Sequence, residues 1–312
     1  MTDKLNEPND VRTDYSAGNT STPSIQRRKV GSDLPFFTVF LVLSFSYLLL
    51  IISLLVADAA FTSLQDIGRA FESKEIRYSF MLSMVSCTLA SAVSLLIAIP
   101  IGYLMSRFNF TGKNLIDGIL DIPIVLPPLV IGLSLLILFQ TGFGRSLDKT
   151  FSLIVDKIGL NNLLEMIGVK PIRGITYELP SVILAQFSVA CAFAVRTMRV
   201  TFDQISKRFE SVALTLGCRR DQAFRYVVLP EAIPGIITAG TLAWARSLGE
   251  FGPILVFSGA TRMKTEVLPT TVFLELSIGD VEAAVAVSMI MVVAAFLVLG
   301  LTRVLGLRTN TI

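Results

Sequence analysis

Apolar residues in this chain fall in long unbroken blocks, and the blocks define its elements. Runs at 34–56, 78–105, 115–139, 177–195, 229–257 and 281–302 each reach the ~18–20 residues that carry a helix across a bilayer. The pattern predicts about six transmembrane helices. The second run is interrupted late by Pro100 and Gly102. The third contains Pro123, Pro127, Pro128 and Gly132, so its helix is expected to be kinked or broken. The fifth is long enough to tilt or to start as an interfacial helix.

The segments between the runs have patterns of their own. Residues 1–33 are rich in Asn, Asp, Thr and Ser, and are expected to form a disordered tail. A membrane domain over 34–305 and a short tail at 306–312 complete the division. In the 143–173 segment, Phe151, Ile154, Val155 and Ile158 repeat at helical spacing, and Leu163, Leu164 and Ile167 continue after Asn161-Asn162. Two short amphipathic helices follow, on the outer surface. Such helices suit a cap that meets an external protein, or lie in the lipid interface.

The 207–228 loop is polar and basic, yet its pattern is helical. Phe209, Val212, Ala213 and Leu216 share one apolar face. Gly217 is expected to stop this helix in a left-handed conformation. A second short helix should follow and end at Leu229-Pro230. A helix–Gly–helix elbow of this kind is shaped to dock in a partner's groove.

Composition agrees with a polytopic membrane protein. The chain is 53% hydrophobic and 16% charged, against roughly 25% charged in soluble domains. Lys and Arg set the orientation. Arg27, Arg28 and Lys29 precede the first run, and Arg107 and Lys113 follow the second. Arg196, Arg199, Lys207, Arg208, Arg219, Arg220 and Arg225 lie between the fourth and fifth, and Arg303 and Arg308 follow the sixth. Six spans put all of these on the cytoplasmic side, with both termini. The basic 140–174 loop runs against the rule. No signal-peptide pattern opens the chain, so the first run reads as an uncleaved anchor. A net charge of +3 is topology bookkeeping and indicates no nucleic-acid partner.

Several chemistries are excluded. With no His, the sequence offers no His-type zinc site, Ser-His-Asp triad or Cys-His dyad. Cys87, Cys191 and Cys218 are far apart and suggest neither metal nor disulfides. No phosphate-binding Gly-rich loop ending in Lys-Ser/Thr is present, so ATP is not expected to bind here. In the fifth run, Arg246 and Glu250 are four apart and can pair on one helical face. Gly249, Gly252 and Pro253 loosen the helix beyond them. The pair reads as part of an anion path or gate, or as a structural ion pair.

The 210–230 stretch resembles the EAA loop of binding-protein-dependent ABC importer permeases. Gly217 is followed by Val227, Leu229 and Pro230 at the family's spacing, while Ser211-Val212-Ala213 takes the usual Glu-Ala-Ala register with Glu210 one residue early. Three blocks are similar to the molybdate, tungstate and sulfate branch. They are Asp121–Gly132, Ala245–Gly252, and Lys264–Pro269 followed by Gly279-Asp280 and Glu282-Ala283-Ala284. The resemblance implies an all-α type I ABC importer permease fold and a non-catalytic subunit in a prokaryotic cytoplasmic membrane. It further implies a tetrahedral oxyanion as cargo, molybdate or tungstate ahead of sulfate or thiosulfate. Implied partners are an ABC ATPase that binds ATP and Mg, a second permease copy, an external oxyanion-binding protein and the lipid bilayer. It assigns ATPase coupling to Glu210, Ala213, Leu216, Gly217, Arg219, Phe224, Leu229 and Pro230. Arg246, Ser247, Gly249, Glu250, Pro127 and Pro128 fall to the path or gate. Asp117 and Asp121 read as packing or interface residues. A stand-alone channel or carrier is the alternative from another class.

Overall fold

The computed structural model describes residues 34–159, 161 and 173–309, and these are helical with no strand. The tail at 1–33, the expected helix over 163–167 and the last three residues lie outside the described residues. The chain divides into two units, Met1–Ser53 and Leu54–Ile312. Helix α1 (Leu34–Phe61) is apolar on every side, as befits a lipid-surrounded span.

The second unit is built on three helices. These are α3 (Lys74–Arg107), α7 (Leu179–Gln204) and α11 (Ile233–Leu248), each packed against the other two. Their seams are lined by small residues: Ala98 on α3, Ala190 and Ala194 on α7, Ala239 and Ala243 on α11. Lipid offers no hydrophobic drive between helices, so close backbone approach and interhelical hydrogen bonds must supply the cohesion. Ser91 Oγ accordingly donates to Gly240 O at 2.8 Å. A Cβ on Gly102 would stand 2.8 Å from Met198 Cβ, so glycine permits the α3–α7 contact. The expected interruption at Pro100 does not occur, and α3 runs unbroken to Arg107.

Two of the six long runs are broken. The third run becomes α4 (Lys113–Val125) and α5 (Pro128–Gln140), bent by 110° at Leu126-Pro127. Pro127 and Pro128 supply no N–H donors, and Pro128 begins a new helix in the first turn, where no donor is needed. The fifth run is not one span over 229–257. Helix α11 stops at Leu248, and a short α12 (Gly252–Phe257) follows the Gly249–Phe251 break. Among the described residues, four helices have the length and apolarity to cross a membrane, and the number reaches six if α4 with α5, and Arg220–Glu231 with α11, each count as one bent span.

Shorter elements close the bundle. Helices α2 (Leu64–Glu72) and α13 (Leu268–Ile278) pack on α14 (Val281–Thr309). Helix α6 (Gly142–Ile158) is the first of the two expected amphipathic helices. Asp148 fixes it to the start of α7 by accepting N–H bonds from Ile175 and Thr176. Helix α14 passes residue 305 and continues to Thr309.

Candidate functional site

The elbow begins with α8 (Lys207–Thr215), whose N-cap Ser206 accepts from Arg208 N–H. Gly217 ends the helix at φ +92°, as its sequence position predicts. Two reciprocal bonds close the turn: Cys218 N–H donates to Ala213 O and Gly217 N–H to Leu214 O, both at 3.1 Å. This Schellman pattern satisfies carbonyls that the helix end leaves open. Arg219 then caps α9 (Arg220–Ala223), its N–H donating to Gln222 Oε1 at 2.9 Å. Its guanidinium grips Asp221 through two bonds of 3.0 and 2.8 Å. That grip holds the Asp221 carboxyl below its ordinary range.

The second helix does not end at Leu229-Pro230. It continues through a π-turn (Phe224–Val228) into α10 (Leu229–Glu231), and the 70° bend comes at Ala232. Pro230 explains the π-turn. Its ring cannot donate and crowds the carbonyl four residues back, so the chain widens by one residue. Leu229 N–H accordingly reaches Phe224 O, five residues away.

The residues assigned to coupling separate into two faces. Leu216 is 79% exposed, and Val212, Tyr226, Gly217 and Arg219 are exposed as well. Ala213 is buried and Phe224 turns inward. Glu210 also faces inward, where Tyr103 Oη donates to its Oε1 at 2.6 Å and Arg107 Nε lies 3.3 Å from Oε2. Pro230 is exposed and Leu229 half-buried. Sequence reasoning missed Tyr226, Tyr103 and Arg107. The last two sit in what reads as the tail of an apolar span, far from the loop in sequence.

In the second region, Arg246 Nη1 stands 2.7 Å from Glu250 Oε1. Glu250 is 1% exposed and Arg246 31% exposed, its guanidinium resting on the Phe193 ring at 5.5 Å. The carboxylate therefore does not line an open path in this conformation, and neither does fully buried Ser247. Gln186 Nε2 from α7 donates to Ser247 O at 3.3 Å. This covers a carbonyl at the broken end of α11, where no water is at hand in a bilayer. Gly249, Pro127 and Pro128 are exposed. The break also packs α12 against α5: a Cβ on Gly132 would lie 2.7 Å from Pro253 Cα, and one on Gly252 3.0 Å from Leu129 N.

Asp117 and Asp121 pair with Arg199 and Arg196, joining α4 to α7. These pairs give both aspartates a packing contact, one of the two readings, packing or interface, taken from the sequence. The opposite end of the bundle has its own pairs, Lys264 with Glu178 at 2.8 Å and Arg262 with Glu275 at 2.9 Å. Tyr78 Oη donates there to Lys264 O. No cluster suited to a metal ion occurs among the described residues.

A bundle of long, apolar, partly broken helices with a polar elbow at one end defines a multi-pass membrane protein. Residues 98–311 match the family model described as binding-protein-dependent transport system inner membrane component, and the chain belongs to that family. It is 29% identical over 271 residues to the sulfate transport system permease protein CysT of Salmonella typhimurium, covering 85% of this chain and 91% of that one. It is 31% identical over 235 residues to the molybdenum transport system permease protein ModB of Mycobacterium bovis, covering 75% and 81%. The molybdate/tungstate permease WtpB of Pyrococcus abyssi is 31% identical, covering 56% and 57%. A bacterial alginate ABC transporter solved with its pentasaccharide-bound periplasmic protein shares the fold, with a TM-score of 0.67, 15% identity, and coverage of 89% and 96%. The chain is thus a permease subunit and not an enzyme.

Proposed function

We propose that this chain is the membrane-spanning subunit of an ATP-driven importer for a tetrahedral oxyanion, with molybdate or tungstate as cargo. The observation that carries the reading is the elbow. Its Schellman-closed turn presents Val212, Leu216 and Tyr226 outward from a rigid, internally tied base. Exposed apolar side chains on a polar loop call for a protein partner. An ATPase subunit that binds ATP and Mg fits that role, because the sequence itself has no nucleotide-binding loop.

The mechanism is alternating access in a prokaryotic cytoplasmic membrane. Both termini and the elbow face the cytoplasm, and the Lys264–Glu178 and Arg262–Glu275 end faces outward, where a loaded binding protein docks. ATP draws two ATPases together, and each moves the elbow of one of two permease copies. Helix α10 passes that motion into α11 across the 70° bend, and the broken α11–α12 and α4–α5 segments rearrange around the path. Arg246 supplies positive potential to a passing dianion, with Glu250 holding it in place between transits. Gly249, Pro127 and Pro128 supply the breaks that let the path open.

Sulfate is the second reading, favoured by the longer alignment with the Salmonella sulfate permease. Uptake of trace labelled molybdate in cells with and without this chain separates the two. The proposal expects uptake to be lost on deletion and to be competed by tungstate but not by sulfate. Intact molybdate uptake with lost sulfate uptake moves the chain to sulfate. Loss of neither removes the oxyanion assignment.

A further inference from the structure

The proposed docking uses the outward face of the elbow and leaves its inward face without a role. There Glu210 is 14% exposed and Arg107 5% exposed, so their contact is largely shielded from water. Both carboxylate oxygens are engaged, Oε1 by Tyr103 Oη at 2.6 Å and Oε2 by Arg107 Nε at 3.3 Å. Arg107 Nη1 also donates to Ile205 O at 3.1 Å, at the joint between α7 and α8. The Tyr103 bond is a short charge-assisted hydrogen bond, while Arg107 meets the carboxylate as an ion pair without hydrogen-bond geometry, an attraction strengthened by its distance from water. The Tyr103 ring packs at the same time on Phe224 of the π-turn at 4.7 Å and on Phe202 of α7 at 5.7 Å.

We propose that Tyr103, Arg107 and Glu210 form a tie that carries motion of the elbow into α3, beside the covalent route through α10 into α11. Tyr103 and Arg107 are positioning residues in this scheme. The inference rests on the transport reading above. Helix α8 sets its backbone against α9 and the π-turn. Side chains therefore make its connection to α3. Helix α3 is unbroken from Lys74 to Arg107 and packs along both α7 and α11. Displacing its end at Arg107 moves a rigid rod through the centre of the bundle, so the two routes act on α11 together.

The test uses the complex of this chain with its ATPase subunit in lipid nanodiscs, with the cargo-loaded binding protein added. Tyr103→Phe removes one hydroxyl and keeps the ring, and Arg107→Gln removes the charge. Three quantities are read: ATPase subunit retained on the complex, ATP turnover alone, and its stimulation by the loaded binding protein. The tie predicts unchanged retention and a loss of stimulation of about fivefold or more, the lower end of coupling between distant sites. Arg107→Lys should recover part of it. Combining either variant with Glu210→Gln should add little, because all three residues act as one unit. Native stimulation in both Tyr103→Phe and Arg107→Gln would falsify the tie. Loss of stimulation in proportion to loss of the ATPase subunit also overturns it, by making these residues part of docking. A native complex that no loaded binding protein stimulates overturns the transport reading itself, and the tie with it.

Discussion

Gly217 shows how much a single backbone conformation decides. A Cβ there meets nothing within 4 Å, so the cost of a side chain is conformational alone. At φ +92° a β-branched residue pays about 1–2 kcal/mol. Gly217→Val is therefore expected to abolish cargo-stimulated ATP turnover and uptake while the spans stay folded, and normal uptake by this variant would sink the elbow's role. Arg246 and Glu250 give an asymmetric expectation. Removing Arg246 strands a fully buried carboxylate, whereas removing Glu250 leaves a cation that is partly exposed and still backed by Phe193. Arg246→Leu should cost about 3–5 kcal/mol and Glu250→Leu clearly less, with the double variant recovering most of the loss. Thermal denaturation in detergent of the three variants checks the order, and equal losses would count against it.

Helices in this chain are informative where they fail to continue. The break at Leu126-Pro127 was legible, because paired prolines leave few backbone alternatives, while the Gly-x-x-Gly-Pro cluster beyond Leu248 showed only a loosened helix where the chain stops and restarts. Which partner each break meets was not legible, since Gly132 and Pro253 are far apart in sequence and touch only through packing. That contact leads to a prediction. Gly132→Ala forces a Cβ against the Pro253 backbone and should destabilise the α5–α12 pair by about 1–3 kcal/mol. Gly118→Ala on α4 meets open space and should leave the melting temperature unchanged or slightly raised. The same measurement on both variants separates close packing from simple helix propensity. The π-turn had no sequence signal beyond Pro230, because a widened turn is one of several ways a helix can admit a proline. The short α13 also escaped notice, being an apolar stretch too brief to cross a bilayer.

At the scale of the whole molecule, hydropathy and Lys/Arg placement supplied a span count and an expected orientation, and one loop with three further blocks carried the resemblance to a transport family. The inward half of the elbow stayed hidden because Tyr103 and Arg107 look like the interfacial end of an apolar helix. Orientation can be checked directly. In a background with Cys218→Ser, a cysteine at Arg225 should react with a membrane-impermeant maleimide only after permeabilisation. A cysteine at Lys149 on α6 should react in intact cells. The reverse pattern would invert the topology and move the elbow outside.

The π-turn has a consequence for chain length. Residues Phe224–Val228 accommodate one more residue per turn than an α-helix does, and Leu229 closes on Phe224 because of it. Deleting one residue there would let the ordinary repeat resume with the flanking turns nearly in place, whereas adding one would swing everything upstream by about 100° about the helix axis relative to α11. Arg107 and Tyr103 would face a different side of α8, and the surface holding Leu216 and Tyr226 would point elsewhere. Substitutions along this segment can be absorbed one side chain at a time, whereas a one-residue insertion cannot. One-residue insertions should therefore be rejected between Gly217 and Ala232, and a one-residue deletion should be tolerated better within Phe224–Val228 than in the α-helical turns beside it.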